Sequence, residues 1–163
     1  MNKGLSEELK AAFPDTISVP RPLVKDQEIK DPNWLAGFTS GEGCYFVSFE
    51  SSPSCKLKER VKLIFQLTQH SRDEQLMVNL ANYLDCGNIF KKRDAFDFVV
   101  TKFLDIENQI IPFFQKYPIR GIKALDYADF VKAADIIKVK GHLTAEGLDQ
   151  IRKIKAGMNK GRK

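Results

Sequence analysis

Residues 34–43 read WLAGFTSGEG, with Asp31-Pro32-Asn33 before them and Cys44-Tyr45-Phe46-Val47-Ser48-Phe49 after. Ala36, Gly37, Ser40, Gly41 and Gly43 make the stretch small for a helix, and each interior glycine costs roughly 1 kcal/mol relative to alanine. The start signals nonetheless predict a helix: Asp31 can cap it, and Pro32 suits its first turn. Gly37 and Gly41 lie four residues apart and so share a face. Bordered by Ala36 and Ser40, that face lets another backbone come close, as small residues do where two helices touch main chain to main chain. One reading packs this helix inside its own domain. The other pairs it with the equivalent helix of a second domain, which brings two copies of Glu42 together. Two carboxylates so placed repel unless divalent cations neutralise them. Carboxylate oxygens with open water positions are ligands for magnesium.

The 163 residues suit one domain or two small ones, and 43% hydrophobic residues suffice for a core. Lys and Arg outnumber Asp and Glu by 26 to 21, a net charge of +5. That balance favours a polyanionic partner, nucleic acid first and a membrane surface second. No run approaches the roughly 18 apolar residues of a spanning helix, and MNKGLSEELKAAF lacks the apolar core of a secretory signal. No membrane partner is expected. Cys44, Cys55 and Cys86 are odd in number and widely spaced, which fits reduced thiols of an intracellular protein better than a disulfide framework or zinc site. His70 and His142 suit surface or cap roles.

Ser6 to Phe13 reads as a short capped helix that stops at Pro14. Residues 14–30 hold three prolines and little periodicity, so 1–30 is an arm or linker and 31–163 a single domain. After the small-residue helix, Cys44 to Glu50 alternates, with Tyr45, Val47 and Phe49 opposite Phe46, Ser48 and Glu50. Lys58 to Thr68 alternates too: Val61, Leu63, Phe65 and Leu67 against Lys58, Arg60, Lys62, Gln66 and Thr68. Three cations on one strand face suggest a ligand. Ser71 with Glu74 has the form of a capping box opening a helix to about Leu84, and Asp85-Cys86-Gly87 ends it. Asn88 to Lys92 and Ala95 to Lys102 form a predicted hairpin around Arg93-Asp94, with Phe96, Phe98 and Val100 inward. Asp97, Val99 and Thr101 are placed outward beside Phe90 and Lys92. A helix over 105–117 should kink at Pro112. Another runs from Ile122 to about Val139 on Leu125, Phe130, Val131, Ala134 and Ile137, and Thr144 caps a last one. The order αββαββα predicts an α+β fold: a four-stranded antiparallel sheet with helices on one face and the other face open, polar and basic. Met1-Asn2-Lys3-Gly4 recurs as Met158-Asn159-Lys160-Gly161, which suggests one unit of a tandem, or a cut through such a tandem.

WLAGFTSGEG resembles the LAGLIDADG motif of homing endonucleases, with Leu35-Ala36-Gly37 at its start and Glu42-Gly43 at its end. Phe65-Gln66-Leu67-Thr68-Gln69 and Leu84-Asp85-Cys86-Gly87-Asn88-Ile89 resemble the same family, from about Asp31 to Gly161. The resemblance is closest to the C-terminal repeat of single-chain, two-repeat enzymes encoded in organellar introns, whose linker LSEELKAAFPDTIS also resembles. It implies a saddle-shaped sheet in the DNA major groove, metal-dependent cutting of both strands of a long site, and a mitochondrial origin. Magnesium is the implied cofactor, with Ca2+ or Mn2+ able to substitute. Glu42 is then the metal-binding acid with the Gly41 carbonyl beside it, Gln69 orders water, and Lys123 is the basic active-site residue. Ser40 departs from the motif, standing where its first aspartate belongs. A single motif where two are needed implies a homodimer through the 32–42 helix, with Leu35, Gly37, Phe38, Ser40 and Gly41 at the interface and a palindromic DNA target.

Outward sheet residues would read the duplex: Phe46, Ser48, Glu50, Arg60, Lys62, Gln66, Phe90, Lys92, Asp97, Val99 and Thr101. Arg and Lys suit guanine, Gln suits adenine, and apolar side chains suit the thymine methyl. The alternatives are an RNA-binding maturase and a non-cleaving DNA-binding protein on the same fold.

Overall fold

Asp31 and Pro32 start a helix as their chemistry dictates. In a computed structural model, which describes residues 6–17 and 27–162, Asp31 Oδ1 accepts the Asn33 N–H at 2.8 Å and Pro32 fills the first position, where no N–H is needed. This helix, α2 (Pro32–Glu42), follows a short α1 (Glu7–Ala12) capped by Ser6. The chain then runs through β1 (Gly43–Ser51), β2 (Glu59–His70), α3 (Glu74–Leu84), β3 (Asn88–Lys92) and β4 (Ala95–Val100). Helices α4 (Phe103–Asp105), α5 (Ile111–Lys116), α6 (Lys123–Lys138) and α7 (Ala145–Ala156) complete it. The strands form one antiparallel sheet in the order β1-β2-β4-β3, so the predicted α+β fold is present. The repeat at residues 1–4, and the stretch of the predicted arm from 18 to 26, lie outside the described residues.

Alternation decides which face is buried. Tyr45, Val47, Leu63, Phe65, Leu67, Phe96, Phe98 and Val100 point at the helices and are buried. Their rings form a cluster: Tyr45 lies 5.2 Å from both Phe65 and Phe130, and Phe65 lies 5.5 Å from Phe114 between centroids. Phe65 has no exposed surface. Phe65→Ala should therefore lower the unfolding free energy by about 3–5 kcal/mol in urea titration.

Several local expectations are corrected. The capping box at Ser71 does not form. Ser71 donates its N–H to Asp94 O at 2.8 Å, a 3₁₀ turn covers Ser71–Asp73, and His70 Nδ1 accepts the Arg72 N–H. Helix α3 then begins at Glu74 without a side-chain cap. The expected kink at Pro112 takes another shape: residues Ile106–Ile110 adopt a π turn just before it. The proline ring would collide with the carbonyl of residue i−4, and a widened turn relieves that. On α6 the buried face is turned from the expected one. Leu125 is 50% exposed, whereas Asp126 is buried, because the C-terminal residues beside β1 offer that carboxylate hydrogen bonds. Lys58 is also displaced: it sits before β2 with φ of 56°, so the strand itself carries only Arg60 and Lys62 of the three cations.

Candidate functional site

The junction between α2 and β1 is where the site is built. Gly43 ends the helix and starts the strand, and its N–H donates to Thr39 O. A Cβ at Gly43 would come within 2.7 Å of that carbonyl oxygen and 2.6 Å of the Thr39 methyl, so only glycine lets the strand leave so tightly. This tight exit fixes Glu42, which is exposed and forms no ion pair among the described residues. The last carbonyls of a helix lack intrahelical partners and carry the negative end of its dipole. Glu42 therefore adds a carboxylate where the backbone is already electronegative, which is the chemistry of a cation site.

Lys123, the first residue of α6, reaches this junction. Its Nζ donates to Gly43 O and lies 3.4 Å from Gly41 O. Glu42 also lines a cleft of about 530 Å3 with Thr68, Gln69, His70, Lys92, Arg93, Asp94 and Ala95. The structure thus brings Gln69 to the cleft of Glu42, and Lys123 to the carbonyls that flank it. His70 and Arg93 line the same cleft and were missed by sequence reading; the hairpin turn that delivers Arg93 was legible, its register against β2 was not.

Glu42 suits a hard divalent cation, and so does the Gly41 carbonyl. No group of three or more His, Cys, Asp or Glu residues is gathered among the described residues. Glu42 and the Gly41 carbonyl fit part of a divalent cation's shell, as the expected pairing with a second motif would require.

The α2 surface explains where that second motif would sit. A Cβ at Gly37 or Gly41 would meet nothing within 4 Å. Phe38 stacks on Trp34 at 5.1 Å with 9° between planes, and Trp34 is 46% exposed. Trp34, Gly37 and Gly41 thus share an exposed face that the other described residues leave open, bordered by a half-buried Phe38 that also packs against the core. Leu35 is corrected: it has no exposed surface and belongs to the domain's own core, because α2 turns it toward the sheet. Ser40 also faces its own domain. Its Oγ donates to Ala36 O at 2.8 Å and accepts the Arg120 N–H at 3.1 Å.

On the open sheet face, Arg60 is exposed, while Lys62 pairs with Glu50 at 2.7 Å and Lys92 pairs with Asp97. Phe46 and Phe90 are exposed, Ser48, Gln66 and Val99 are half-buried, and Thr101 is exposed one residue beyond β4. Asp97 is corrected as a freely reading residue: it is only 2% exposed. Lys92 covers it and Thr68 Oγ1 donates to its Oδ1 at 2.7 Å, while Gln66 Nε2 donates to Thr68 Oγ1 at 3.1 Å. Burial pushes the Asp97 carboxyl up, but hydrogen bonds from Lys92 and Thr68, with the Lys92 charge, outweigh it and hold the group below its usual range. A carboxyl that titrates lower when folded stabilises the fold fully above the unfolded value of about 4, and that contribution is lost as pH falls through the folded value. Asp97→Asn should flatten part of the acid loss of stability below about pH 4, read by urea unfolding at several pH values.

Comparison with known proteins places these observations. The LAGLIDADG endonuclease family profile matches residues 35–134. A relative in Neurospora crassa named probable intron-encoded endonuclease 3 is 40% identical over 154 residues, which is 93% of this chain and 29% of the relative. The crystal structure of the I-SmaMI LAGLIDADG homing endonuclease bound to cleaved DNA superposes with a TM-score of 0.91 at 50% identity, covering 100% of this chain and 55% of that one. I-SmaMI bound to an uncleaved DNA target in the presence of calcium ions gives a TM-score of 0.89 over 98% of this chain. The chain thus spans less than a third of the Neurospora crassa relative and about half of I-SmaMI. No helix among the described residues is long and apolar enough to cross a membrane.

Proposed function

The chain belongs to the LAGLIDADG endonuclease family, and from that premise we propose that it acts as a site-specific, metal-dependent endonuclease on double-stranded DNA. The observation that carries this reading is the α2 terminus: an exposed Glu42 without an ion-pair partner among the described residues, at an electronegative helix end, with Lys123 Nζ on the Gly43 carbonyl and 3.4 Å from that of Gly41. Divalent cations of the magnesium type, when bound there, supply charge stabilisation on the phosphoryl oxygens and an acidified water. Glu42 and the Gly41 carbonyl hold the positive charge. Gln69, in the same cleft, orients water by donating and accepting through its amide. Lys123, its ammonium fixed by the Gly43 carbonyl, offsets developing negative charge without having to reorganise. The open sheet lies against the duplex, with Arg60, Lys62, Gln66 and Lys92 at its polar surface and Phe46, Phe90 and Val99 toward thymine methyls.

Cutting both strands requires two such sites. A second copy of the chain, joined through Trp34, Gly37, Phe38 and Gly41, gives a homodimer and a palindromic target. A second reading follows from the length of I-SmaMI, of which this chain covers 55%: the partner motif is a second repeat on one polypeptide, and the target is then asymmetric. An origin in an organellar, mitochondrial intron fits the intron-encoded relative in Neurospora crassa.

Incubating the protein with a randomised palindromic duplex library, in magnesium and then in calcium, tests the reading. Sequencing should find one family of sites cut in magnesium and bound intact in calcium. A protein that binds no duplex and cuts none overturns it, and preference for intron RNA over duplex DNA would favour a maturase. On the site so found, Arg60→Ala should weaken binding and reduce the slope of log K against log salt by about 1 if Arg60 contacts phosphate. Filter binding at several salt concentrations reads that slope.

A further inference from the structure

Residues 158–162 are a basic terminal stretch that the fold holds tightly. Met158 is buried in the core. Asn159, at φ of 54°, donates its N–H to Asp126 Oδ1 at 2.9 Å and its Nδ2 to Tyr45 O at 2.9 Å, while its Oδ1 accepts the Cys44 thiol at 3.4 Å. Arg162 donates through Nε and a terminal nitrogen to Asp126 Oδ1 at 3.1 and 2.9 Å, and to Asp129 Oδ2 at 2.6 Å. Asp126 stands three residues after Lys123 on the first turn of α6, and Cys44 and Tyr45 directly follow Gly43 on β1. The same residues wall a cleft of about 800 Å3 that includes Cys44, Lys123, Asp126, Asn159 and Arg162. A single short segment therefore grips both sides of the Lys123–Gly43 contact. The buried Asp126 carboxylate depends on these donors, because a buried charge that loses its partners is strongly unfavourable.

We propose that residues 158–162 are a latch that holds Lys123 against the Gly41 and Gly43 carbonyls, which makes Asn159 and Arg162 positioning residues for DNA cleavage. The proposal rests on the reading of Lys123 as a group that acts at the scissile phosphate. It also gives the recurring Met-Asn-Lys-Gly tetrapeptide a task in this copy: the asparagine turns left-handed and ties strand to helix.

Arg162→Ala, Arg162→Lys and Asn159→Ala are made in the parent and in Lys123→Met. All are assayed on the selected duplex at a temperature where circular dichroism shows every variant folded. Single-turnover cutting in magnesium should fall roughly 10- to 100-fold for Arg162→Ala and Asn159→Ala, the scale set by displacing a reacting group by a fraction of its contact distance. DNA affinity in calcium should stay at the parent value, and Arg162→Lys should recover much of the rate. In the Lys123→Met background the tail substitutions should cause no further loss, since both act through one group. Parental cutting by both tail variants, equal additional loss without Lys123, or a loss of affinity that matches the loss of rate would each overturn the latch. Parental cutting by Lys123→Met alone would instead overturn the role of Lys123 itself, and is read without touching the tail.

Discussion

Glu42→Gln is expected to reduce cleavage at least about a thousandfold while leaving DNA binding intact. The substitution keeps shape and removes charge, so it isolates the carboxylate. It carries a second expectation of opposite sign. Glu42 stands in the last turn of α2, where a negative side chain opposes the helix dipole at a cost of about 0.3–1 kcal/mol. The neutral variant should thus unfold at a slightly higher temperature than its parent. Gain of stability with loss of cutting marks a residue kept against the interest of the fold. Thermal melting and single-turnover kinetics on the same samples check both halves. A variant that cuts like the parent removes Glu42 from the site.

Gly37→Leu separates folding from assembly. The added side chain meets no atom of its own chain near its Cβ, and a helix gains up to roughly 1 kcal/mol when leucine replaces glycine. The isolated domain should fold at least as well as before. Against a second α2, however, the leucine fills the space in which the other backbone must lie, so pairing and cleavage should fall together below detection. Sedimentation analysis with a urea titration reads the two quantities. Unchanged assembly and unchanged cutting would place the contact between motifs on another surface.

The sheet was legible because period-two alternation leaves few choices. Val61, Leu63, Phe65 and Leu67 identify their own buried face, and β1 follows from Tyr45 and Val47. Helix α2 was legible through Asp31 and Pro32, whose caps are local. What escaped was long-range. Lys123 is 80 residues from Gly43, and no pattern in the chain states that its ammonium reaches that carbonyl. Asp126 looks like a surface acid until Asn159 and Arg162 are brought to it. Leu35 seemed available to a partner because the motif it opens is read as a contact face, yet a helix has two sides and its turn assigns this residue to the core. The box at Ser71 failed because a 3₁₀ turn shifts the helix start to Glu74 and Asp94, from the hairpin, takes the Ser71 N–H that Glu74 would have accepted. For Lys123, Asp126 and Ser71 a tertiary hydrogen bond decided the outcome, and for Leu35 burial against the sheet did.

The linked side chains on the open sheet have a consequence for altering which duplex the protein prefers. Gln66, Thr68, Asp97 and Lys92 form one chain of donors and acceptors, so exchanging any of them re-aims its neighbours and leaves an acid without its counterweight. Retargeting by single replacements should stall at these four positions. They behave as a cassette, to be drawn from a library as whole combinations, whereas Arg60 at the periphery can be varied by itself.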